Sequence, residues 1–210
     1  MALFITIEGP EGSGKTTACK KLVSKLEKEG YDILYTREPG GSEIAEQIRK
    51  IILSTKNTKM NPGTEALLYA AARRQHLVER IKPALESNKI VICDRYIDSS
   101  LAYQGFARGL GYKEVYNINM FATEGILPDL TIYFDIDAKK GLERISRDKR
   151  REKNRLDLEK IEFHNKVCNG YRQLIKKFPK RIKALDASLD QDQVYRQLEK
   201  LVYSKIKGIK

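Results

Sequence analysis

The stretch Gly9-Pro10-Glu11-Gly12-Ser13-Gly14-Lys15-Thr16 matches the pattern G-x-x-x-x-G-K-[ST] at every fixed position. A short β-prone run, Leu3-Phe4-Ile5-Thr6-Ile7, comes before it, and residues 17–29 are typical of a helix. A strand, a glycine-rich turn and a helix N-terminus together form a cradle for anions, since backbone N–H groups point inward and the helix dipole adds positive charge. The stretch therefore predicts a site for nucleotide phosphates.

The side chains of this loop suit a nucleoside triphosphate and its metal ion. Gly12 and Gly14 let the backbone approach phosphate oxygens without a Cβ in the way. Lys15 is expected to reach the β and γ oxygens, and the Thr16 hydroxyl is expected to bind Mg²⁺. Because the motif and its strand–helix context agree, a chance glycine-rich turn explains the stretch poorly.

Beyond the loop, β-prone runs alternate with helical ones. The β-prone runs are Leu3–Glu8, Ile33–Arg37, Ile90–Asp94, Leu130–Asp135 and Arg181–Asp186. Helical periodicity covers 15–29, 43–54, 64–87, 98–108, 113–124, 138–152, 157–177 and 190–206. Such alternation builds right-handed βαβ units, so we expect an α/β fold of the P-loop NTPase type, with three α/β/α layers around a five-stranded parallel sheet. No repeat or linker interrupts the chain, which predicts a single domain over residues 1–210.

The chain is strongly basic, with a formal net charge of +12 over 210 residues, and this favours an anionic partner. Much of the excess lies in residues 144–155, where seven Lys and Arg stand against two Asp and Glu. The sequence has no basic stripe with interleaved aromatic residues and no known DNA-binding pattern. We therefore expect nucleotide phosphates as the anionic partner, and no nucleic acid.

Other classes of protein are disfavoured by the composition. Cys19, Cys93 and Cys168 are far apart and match neither a zinc spacing nor a disulfide framework, and Cys93 is expected in the core. His76 and His164 have no partner at metal-ligand spacing and are expected to be ordinary polar residues. No stretch approaches the roughly 20 apolar residues of a membrane span, and the N-terminus enters a strand without a signal sequence. We expect a cytoplasmic protein without membrane contact.

Polar residues end or follow the predicted strands, at the edge where open α/β sheets bind ligands. Asp94 ends the run 90–94 and could hold Mg²⁺ directly or through water; the alternative is a helix cap or loop residue. Arg95 could clamp a phosphate with two hydrogen bonds, or pair internally with Asp94. Arg37 and Glu38 precede a Pro-Gly-Gly turn and face the same crevice, unless that turn is only a surface loop.

Two helical runs carry polar and aromatic residues on one face. These sets are Glu65, Tyr69 and Arg73, spaced by four, and Ser100, Tyr103 and Gln104. A tyrosine beside an arginine could stack on a base and donate to its edge, although a packed Tyr and a solvated Arg fit the spacing too. A glutamine offers a donor and an acceptor together, which suits the N–H beside C=O of thymine or uracil. Cytosine presents the opposite pattern.

The phosphate loop contains no arginine between Gly9 and Lys15. Phosphoryl transfer depends on positioning and on positive charge at the transferring group, so further cations must come from elsewhere. The basic segment can deliver them if it closes as a lid, over about residues 144–156. The alternative interpretation of this segment is a solvated charge run.

These segments together resemble the thymidylate kinase family, the bacterial dTMP kinases among the P-loop nucleoside-monophosphate kinases. The matching stretches are 4–16, Thr36-Arg37-Glu38-Pro39-Gly40-Gly41, 65–74, 94–105 and Pro128-Asp129-Leu130-Thr131. The stretch 94–105, which begins Asp-Arg-Tyr and ends Ala-Tyr-Gln-Gly, is far more specific than the phosphate loop. The resemblance runs from residue 3 to about residue 187 and implies Mg²⁺-dependent transfer from ATP to dTMP in dTTP synthesis.

The resemblance implies two sets of binding residues, which share Glu11. The ATP set, in which Arg144 packs against adenine, is Glu11, Gly12, Ser13, Gly14, Lys15, Thr16, Thr17 and Arg144. The dTMP set is Glu11, Arg37, Glu38, Arg49, Tyr69, Arg73, Arg95, Ser100, Tyr103 and Gln104. Within the dTMP set, the family implies that Arg37, Arg49 and Arg95 surround the phosphate and that Tyr69 stacks on thymine. It also implies that Arg73 and Gln104 read O4 and N3–H, and that Tyr103 presses on the 2′ carbon.

The resemblance also implies the catalytic and metal residues. Thr16 and Asp94 are the expected metal ligands, and Lys15 and Arg95 are expected to act on the transferring phosphate. The lid is expected to supply the catalytic arginine, from Arg147, Arg150, Arg151 and Arg155, of which we favour Arg151 and Arg155. The family is homodimeric, so a homodimer is expected here.

Three other functions would each require a feature of their own. Another P-loop small-molecule kinase would need a different acceptor pocket, and the presence of Tyr69, Arg73 and Gln104 argues against one. A GTPase would need an Asn-Lys-x-Asp guanine reader, and neither Asn88-Lys89 nor Asn165-Lys166 has the Asp. A nucleic-acid-stimulated ATPase would need DNA for turnover.

Overall fold

A five-stranded parallel sheet forms the centre of the molecule. The computed structural model describes residues 2–147 and 154–208. Its strands are β1 (Leu3–Glu8), β2 (Ile33–Arg37), β3 (Ile90–Asp94), β4 (Leu130–Asp135) and β5 (Ile182–Asp186). They lie in the order β2-β3-β1-β4-β5, and each neighbouring pair is parallel. The predicted α/β sheet is confirmed, and only β5 begins one residue later than expected.

The helices connect these strands on both sides of the sheet. They are α1 (Lys15–Lys28), α2 (Glu43–Leu53), α3 (Pro62–His76), α4 (Lys82–Glu86), α5 (Ile97–Ser100), α6 (Tyr112–Thr123), α7 (Ala138–Arg147), α8 (Ile161–Lys177) and α9 (Gln191–Lys207). Segments Leu77–Ile81 and Leu101–Ala107 are π-helical, and Arg155–Leu158 is a 3₁₀ turn.

The helical predictions differ from the structure mainly in detail. The predicted helix 64–87 is a continuous path from α3 through a π-helical segment to α4, because the hydrophobic pattern does not distinguish these winding modes. The predicted helix 157–177 begins only at Ile161, after the 3₁₀ turn. The predicted helix 138–152 is described to Arg147, where α7 ends, and its remaining residues lie outside the described ranges.

Two cores lie on opposite faces of the sheet, because successive side chains of a strand point to opposite sides. Leu3, Ile5 and Ile7 of β1 pack with α1 and α9. Phe4 packs on the other face, in the core that includes α6, α8 and the segment 97–107. A strand that is buried on both faces reads as a continuous apolar run, as β1 and β3 do.

The order of the strands places a crevice at the carboxyl ends of β1 and β3. The chain leaves β1 for β2 and β3 on one side and reaches β4 and β5 on the other. Such a switch point is where open α/β sheets bind ligands. Ile7 of β1 is in register with Asp94 of β3, so the phosphate loop and the Asp94-Arg95 pair start side by side. No helix within the described residues is long and apolar enough to cross a membrane.

Candidate active site

The phosphate loop wraps around its own lysine. Lys15 Nζ donates to the carbonyl oxygens of Gly9 and Pro10, at 3.0 and 2.9 Å, and to Ser13 Oγ at 3.1 Å. Burial, followed by repulsion from Arg95, lowers the pKa of Lys15 to about 8. An anionic phosphate beside this ammonium would favour its charged form, so the loop is electrostatically suited to a phosphate.

The loop also packs closely against α7, the helix that leads into the basic segment. Gly12 has φ 72°, a region that favours glycine. A Cβ on Gly12 would overlap the backbone of Gly141, and a Cβ on Gly141 would overlap the carbonyl of Glu11. Glycine at 12 and 141 therefore lets α7 contact the phosphate loop directly.

Thr16 and Asp94 meet at the start of α1 and the end of β3. The Thr16 hydroxyl donates to Asp94 Oδ2 at 3.0 Å. A hydroxyl and a carboxylate offer the hard oxygen ligands that Mg²⁺ prefers. The two predicted metal ligands are thus adjacent, and their donor set fits the ion.

Arg95 sits in the left-handed region, with φ 73°, and its backbone N–H donates to Ile7 O at 2.9 Å. Its guanidinium pairs with Glu11 Oε1 at 2.6 Å and donates to Ser99 Oγ at 3.2 Å. No ion pair with Asp94 is found between these described residues. Arg95 is therefore directed at the phosphate loop, as its predicted role requires.

Glu8 accepts hydrogen bonds from the backbone that follows Arg95, and the sequence patterns did not predict this role. Glu8 Oε1 accepts the N–H groups of Tyr96 and Ser99, and Oε2 accepts the hydroxyls of Ser99 and Tyr171 at 2.6 and 2.8 Å. Burial, with a contribution from the Asp98 charge, raises the pKa of Glu8 to about 7. An acidic residue at the end of a buried strand was the available signal.

Arg73 is fully buried at the centre of a polar network. Its Nε donates to Glu38 at 2.7 Å, and one terminal nitrogen donates to Ser100 at 2.9 Å and also to Asn119. The other terminal nitrogen donates to Tyr96 O at 2.9 Å. A guanidinium has five N–H donors, so four are engaged by described residues and one remains for a ligand in the cavity.

Glu38 pairs with Arg73, and His76 in turn contacts Glu38. His76 Nδ1 lies 3.0 Å from Glu38 Oε1, and its Nε2 lies 2.7 Å from Thr36 Oγ1. His76 is completely buried, so the expectation of an ordinary polar residue is wrong: the ring links β2 to α3. Glu38, His76 and Cys93 also bring three metal-type ligand atoms together, but Cys93 Sγ donates to Arg95 O, and hydrogen bonds account for the whole cluster.

A cavity of about 1460 Å³ joins the phosphate loop to this network. All the predicted ATP, dTMP and metal residues line it: Glu11, Gly12, Ser13, Gly14, Lys15, Thr16, Thr17, Arg37, Glu38, Arg49, Tyr69, Arg73, Asp94, Arg95, Ser100, Tyr103, Gln104 and Arg144. The segment 189–192 at the start of α9 lines it as well, and it was not predicted because it carries no motif.

Cationic side chains surround the end of the cavity that lies next to the Arg73 network. Arg37 pairs with Glu46 at 2.9 Å, and Arg49 donates to Pro39 O at 2.6 Å. Burial, followed by the charge of Arg37, lowers the pKa of Arg49. The Arg95 guanidinium lies 5.2 Å from the centre of the Tyr103 ring. An anionic group at this end would be flanked by Arg37, Arg49 and Arg95.

The structure places Arg155 away from the cavity, which argues against its predicted catalytic role. Its guanidinium is buried, pairs with Glu65 Oε2 at 2.7 Å and donates to Ile52 O at 2.9 Å. Arg155 does not belong to the described lining of the cavity, because Glu65, a buried carboxylate, attracts it away. Arg150 and Arg151 lie outside the described residues, and Arg144 donates to Ala187 O at 2.9 Å.

Comparisons with known proteins agree with this geometry. The thymidylate kinase family model matches residues 7–198. A thymidylate kinase of Geobacillus thermodenitrificans is 57% identical, over 99% of this chain and 92% of the relative. One of Bacillus licheniformis is 55% identical, over 98% and 97%. The crystal structure of a thymidylate kinase from Ehrlichia chaffeensis superposes with a TM-score of 0.77 at 32% identity, over 96% of this chain and 98% of that one.

Proposed function

The chain belongs to the thymidylate kinase family, and we infer from that premise how its residues transfer the γ-phosphoryl group of ATP to dTMP, giving ADP and dTDP. The single observation that carries this account is the cavity that joins the phosphate loop to the Arg73 network. Two nucleotides can meet there directly, so transfer needs no covalent phospho-enzyme. A different small-molecule kinase is not favoured.

The ATP phosphates occupy the loop around Lys15. The loop N–H groups and the N-terminus of α1 attract the anion, and Lys15 exchanges its bonds to Gly9 and Pro10 for bonds to phosphate oxygens. Arg144, beside the carbonyl of Ala187, forms a wall for the adenine together with the neighbouring segment 189–192.

The acceptor, dTMP, occupies the other end of the cavity. Its phosphate lies among Arg37, Arg49 and Arg95, while Tyr69 stacks on the base. Arg73 uses its remaining N–H for the thymine O4, and Gln104 accepts the N3–H. Tyr103 closes the sugar side and leaves no room for a 2′ hydroxyl.

Catalysis rests on charge and position at the transferring phosphoryl group. Lys15 and Arg95 approach it from the two nucleotide sites, and Glu11 fixes Arg95 through its 2.6 Å pair. Thr16 and Asp94 would hold Mg²⁺, which neutralises charge on the phosphate oxygens when bound. Arg151 is the proposed lid arginine, since Arg155 is engaged elsewhere.

The chain forms a homodimer in this proposal. Phe121 on α6 and Leu67 on α3 are large apolar side chains with 87% and 59% of their surface exposed, and α3 packs against α6. A second copy that covered both would bury this apolar surface. Sedimentation should give a dimer for the wild type and a monomer for Phe121→Asp; a wild-type monomer would reject the proposal.

A single domain and a cytoplasmic location complete the proposal. All three cysteines are free and buried, which suits a reducing compartment. One cooperative unfolding transition and recovery in the cytosolic fraction are the expected results; two transitions or membrane recovery would contradict them.

The substrate assignment is tested by initial rates with a panel of monophosphates. With ATP and Mg²⁺, dTMP should give the highest kcat/KM among dTMP, AMP, GMP and CMP. Equal rates for the four would show that the Arg73 and Gln104 end does not read the base. Activity should not depend on added DNA.

A further inference from the structure

A buried carboxylate, Glu65, contacts both Gln104 and Arg155, which lies at the C-terminal end of the lid segment. Glu65, in the first turn of α3, has no exposed surface. Its Oε1 accepts from Gln104 Nε2 at 2.8 Å and from Arg108 Nε at 3.3 Å. Its Oε2 accepts from Arg155 at 2.7 Å and lies 3.2 Å from an Arg108 terminal nitrogen. Both oxygens of Glu65 are therefore committed.

This arrangement decides which end of the Gln104 amide can serve a ligand. A carboxylate without a proton only accepts hydrogen bonds, so it attracts the amide nitrogen and repels the amide oxygen. Among the described residues, no group donates to Gln104 Oε1, and Gln104 lines the cavity. With its nitrogen held by Glu65, Gln104 offers an acceptor to whatever binds there.

The partners of Glu65 make the other amide orientation costly. If Gln104 turned its oxygen toward Glu65, two acceptors would face each other in a buried site. Arg108 and Arg155 already supply the donors that Glu65 needs, and a further pair, Arg108–Glu159 at 2.6 Å, fixes Arg108. The network therefore favours a single orientation of the Gln104 amide.

We propose that Glu65 is a positioning residue that sets base specificity, by fixing the Gln104 amide so that its oxygen accepts the N3–H of thymine. The proposal rests on the dTMP site described above. Cytosine has an acceptor at N3, so the same amide oxygen opposes it. Arg155, at the C-terminal end of the lid segment, thus supports the acceptor site through Glu65 and does not act on the transferring phosphate.

The test compares two substrates of nearly the same shape. dTMP and 5-methyl-dCMP share the methyl group and the sugar, and they differ at N3 and at position 4. The measured quantity is the ratio of kcat/KM for dTMP to kcat/KM for 5-methyl-dCMP. Both values come from one preparation, so a partly unfolded variant changes them equally and leaves the ratio intact.

Glu65→Gln should lower this ratio by about tenfold or more. The glutamine has one oxygen for Arg155 and Arg108, so its NH₂ group turns toward Gln104 and draws the Gln104 oxygen away from the base. Glu159→Gln is the matched control, because it removes a partner of Arg108 without touching Gln104. The control should keep the ratio within about twofold of the wild type.

A double variant shows whether Glu65 acts through Gln104. Gln104→Met should reduce the ratio by itself, and Glu65→Gln added to it should cause no further loss. An unchanged ratio in Glu65→Gln, with equal losses for both substrates, would overturn the proposal and leave the dTMP site standing. A wild-type enzyme that does not distinguish the two substrates would instead reject the assignment of Gln104 as the base reader.

Discussion

The two ends of the cavity are held together in different ways. At the donor end, Lys15 bonds only to residues at most six positions away. At the acceptor end, Arg73 bonds to Glu38, 35 positions away, and Glu65 bonds to Arg155, 90 positions away. The hydrogen bonds of Lys15 form within a few residues of the loop. The pairs at the acceptor end form only when the fold has brought distant charged residues together.

This difference predicts where substitutions affect chemistry and where they affect binding and stability. Charged residues at the acceptor end of the cavity are buried and paired, so replacing one of them leaves the charge of its partner uncompensated. In the proposed function, the cations of the donor end and the lid act on a group that changes charge during transfer, so we expect their loss to lower turnover.

The largest effect is expected at the lid. Arg151→Ala should lower kcat by about 10³-fold, because a lid arginine stabilises charge in the transition state. The dissociation constants of dTMP and of a non-hydrolysable ATP analogue, measured by calorimetry, should change by less than about threefold.

Arg155→Ala is the contrasting variant for the lid. It removes a buried partner of Glu65 and should reduce stability by about 3–5 kcal/mol, while kcat of the folded enzyme stays within about tenfold of the wild type. Loss of kcat in Arg155→Ala at unchanged Tm, with an inert Arg151→Ala, would restore Arg155 as the catalytic residue.

The next effect is expected at the base reader. Arg73→Ala should raise the KM for dTMP by about 100-fold, because a buried donor is lost and Glu38 keeps only His76 as partner. The KM for ATP should stay within about threefold. Arg74→Ala, which removes a half-exposed pair with Glu124, is the control and should leave both constants unchanged. Equal losses for dTMP and ATP in Arg73→Ala would refute the role in base reading.

The smallest effect concerns the pH dependence of stability. The pKa of Glu8 rises from 4.5 to about 7, mainly through burial. Between these values the folded chain keeps a proton that the unfolded chain has lost, so Glu8 makes stability fall as pH rises from about 4.5 to 7. Glu8→Gln should remove this loss, which amounts to about 1 kcal/mol per pH unit, in urea unfolding at pH 5, 6 and 7.

A matched control keeps the Glu8 test specific. The pKa of Asp192 is held below its usual range by the hydrogen bond from Lys21, so Asp192→Asn should not change the slope in that range. A Glu8→Gln slope equal to that of the wild type would show that Glu8 stays ionised throughout.

Prediction from the sequence was most successful for residues that belong to a motif or to a periodic run. The loop 9–16, the strands and the Thr16–Asp94 pair follow from motif and periodicity. It also singled out Arg73 and Gln104, because the family motifs contain them, and both line the cavity. It did not find Glu8 as an anchor, the buried links of His76, or the pairing of Arg155 with Glu65, because each depends on contacts between residues that are distant in sequence.

Contacts within the chain hold the residues of the acceptor end in place, so we expect this end to bind dTMP without help from ATP. The most direct test is calorimetry of dTMP binding to the wild-type enzyme, with and without a non-hydrolysable ATP analogue and Mg²⁺. Because Arg73, Glu38 and Gln104 already have their partners, we predict dissociation constants that agree within about threefold. Binding of dTMP that is detectable only when the ATP analogue is present would contradict the account.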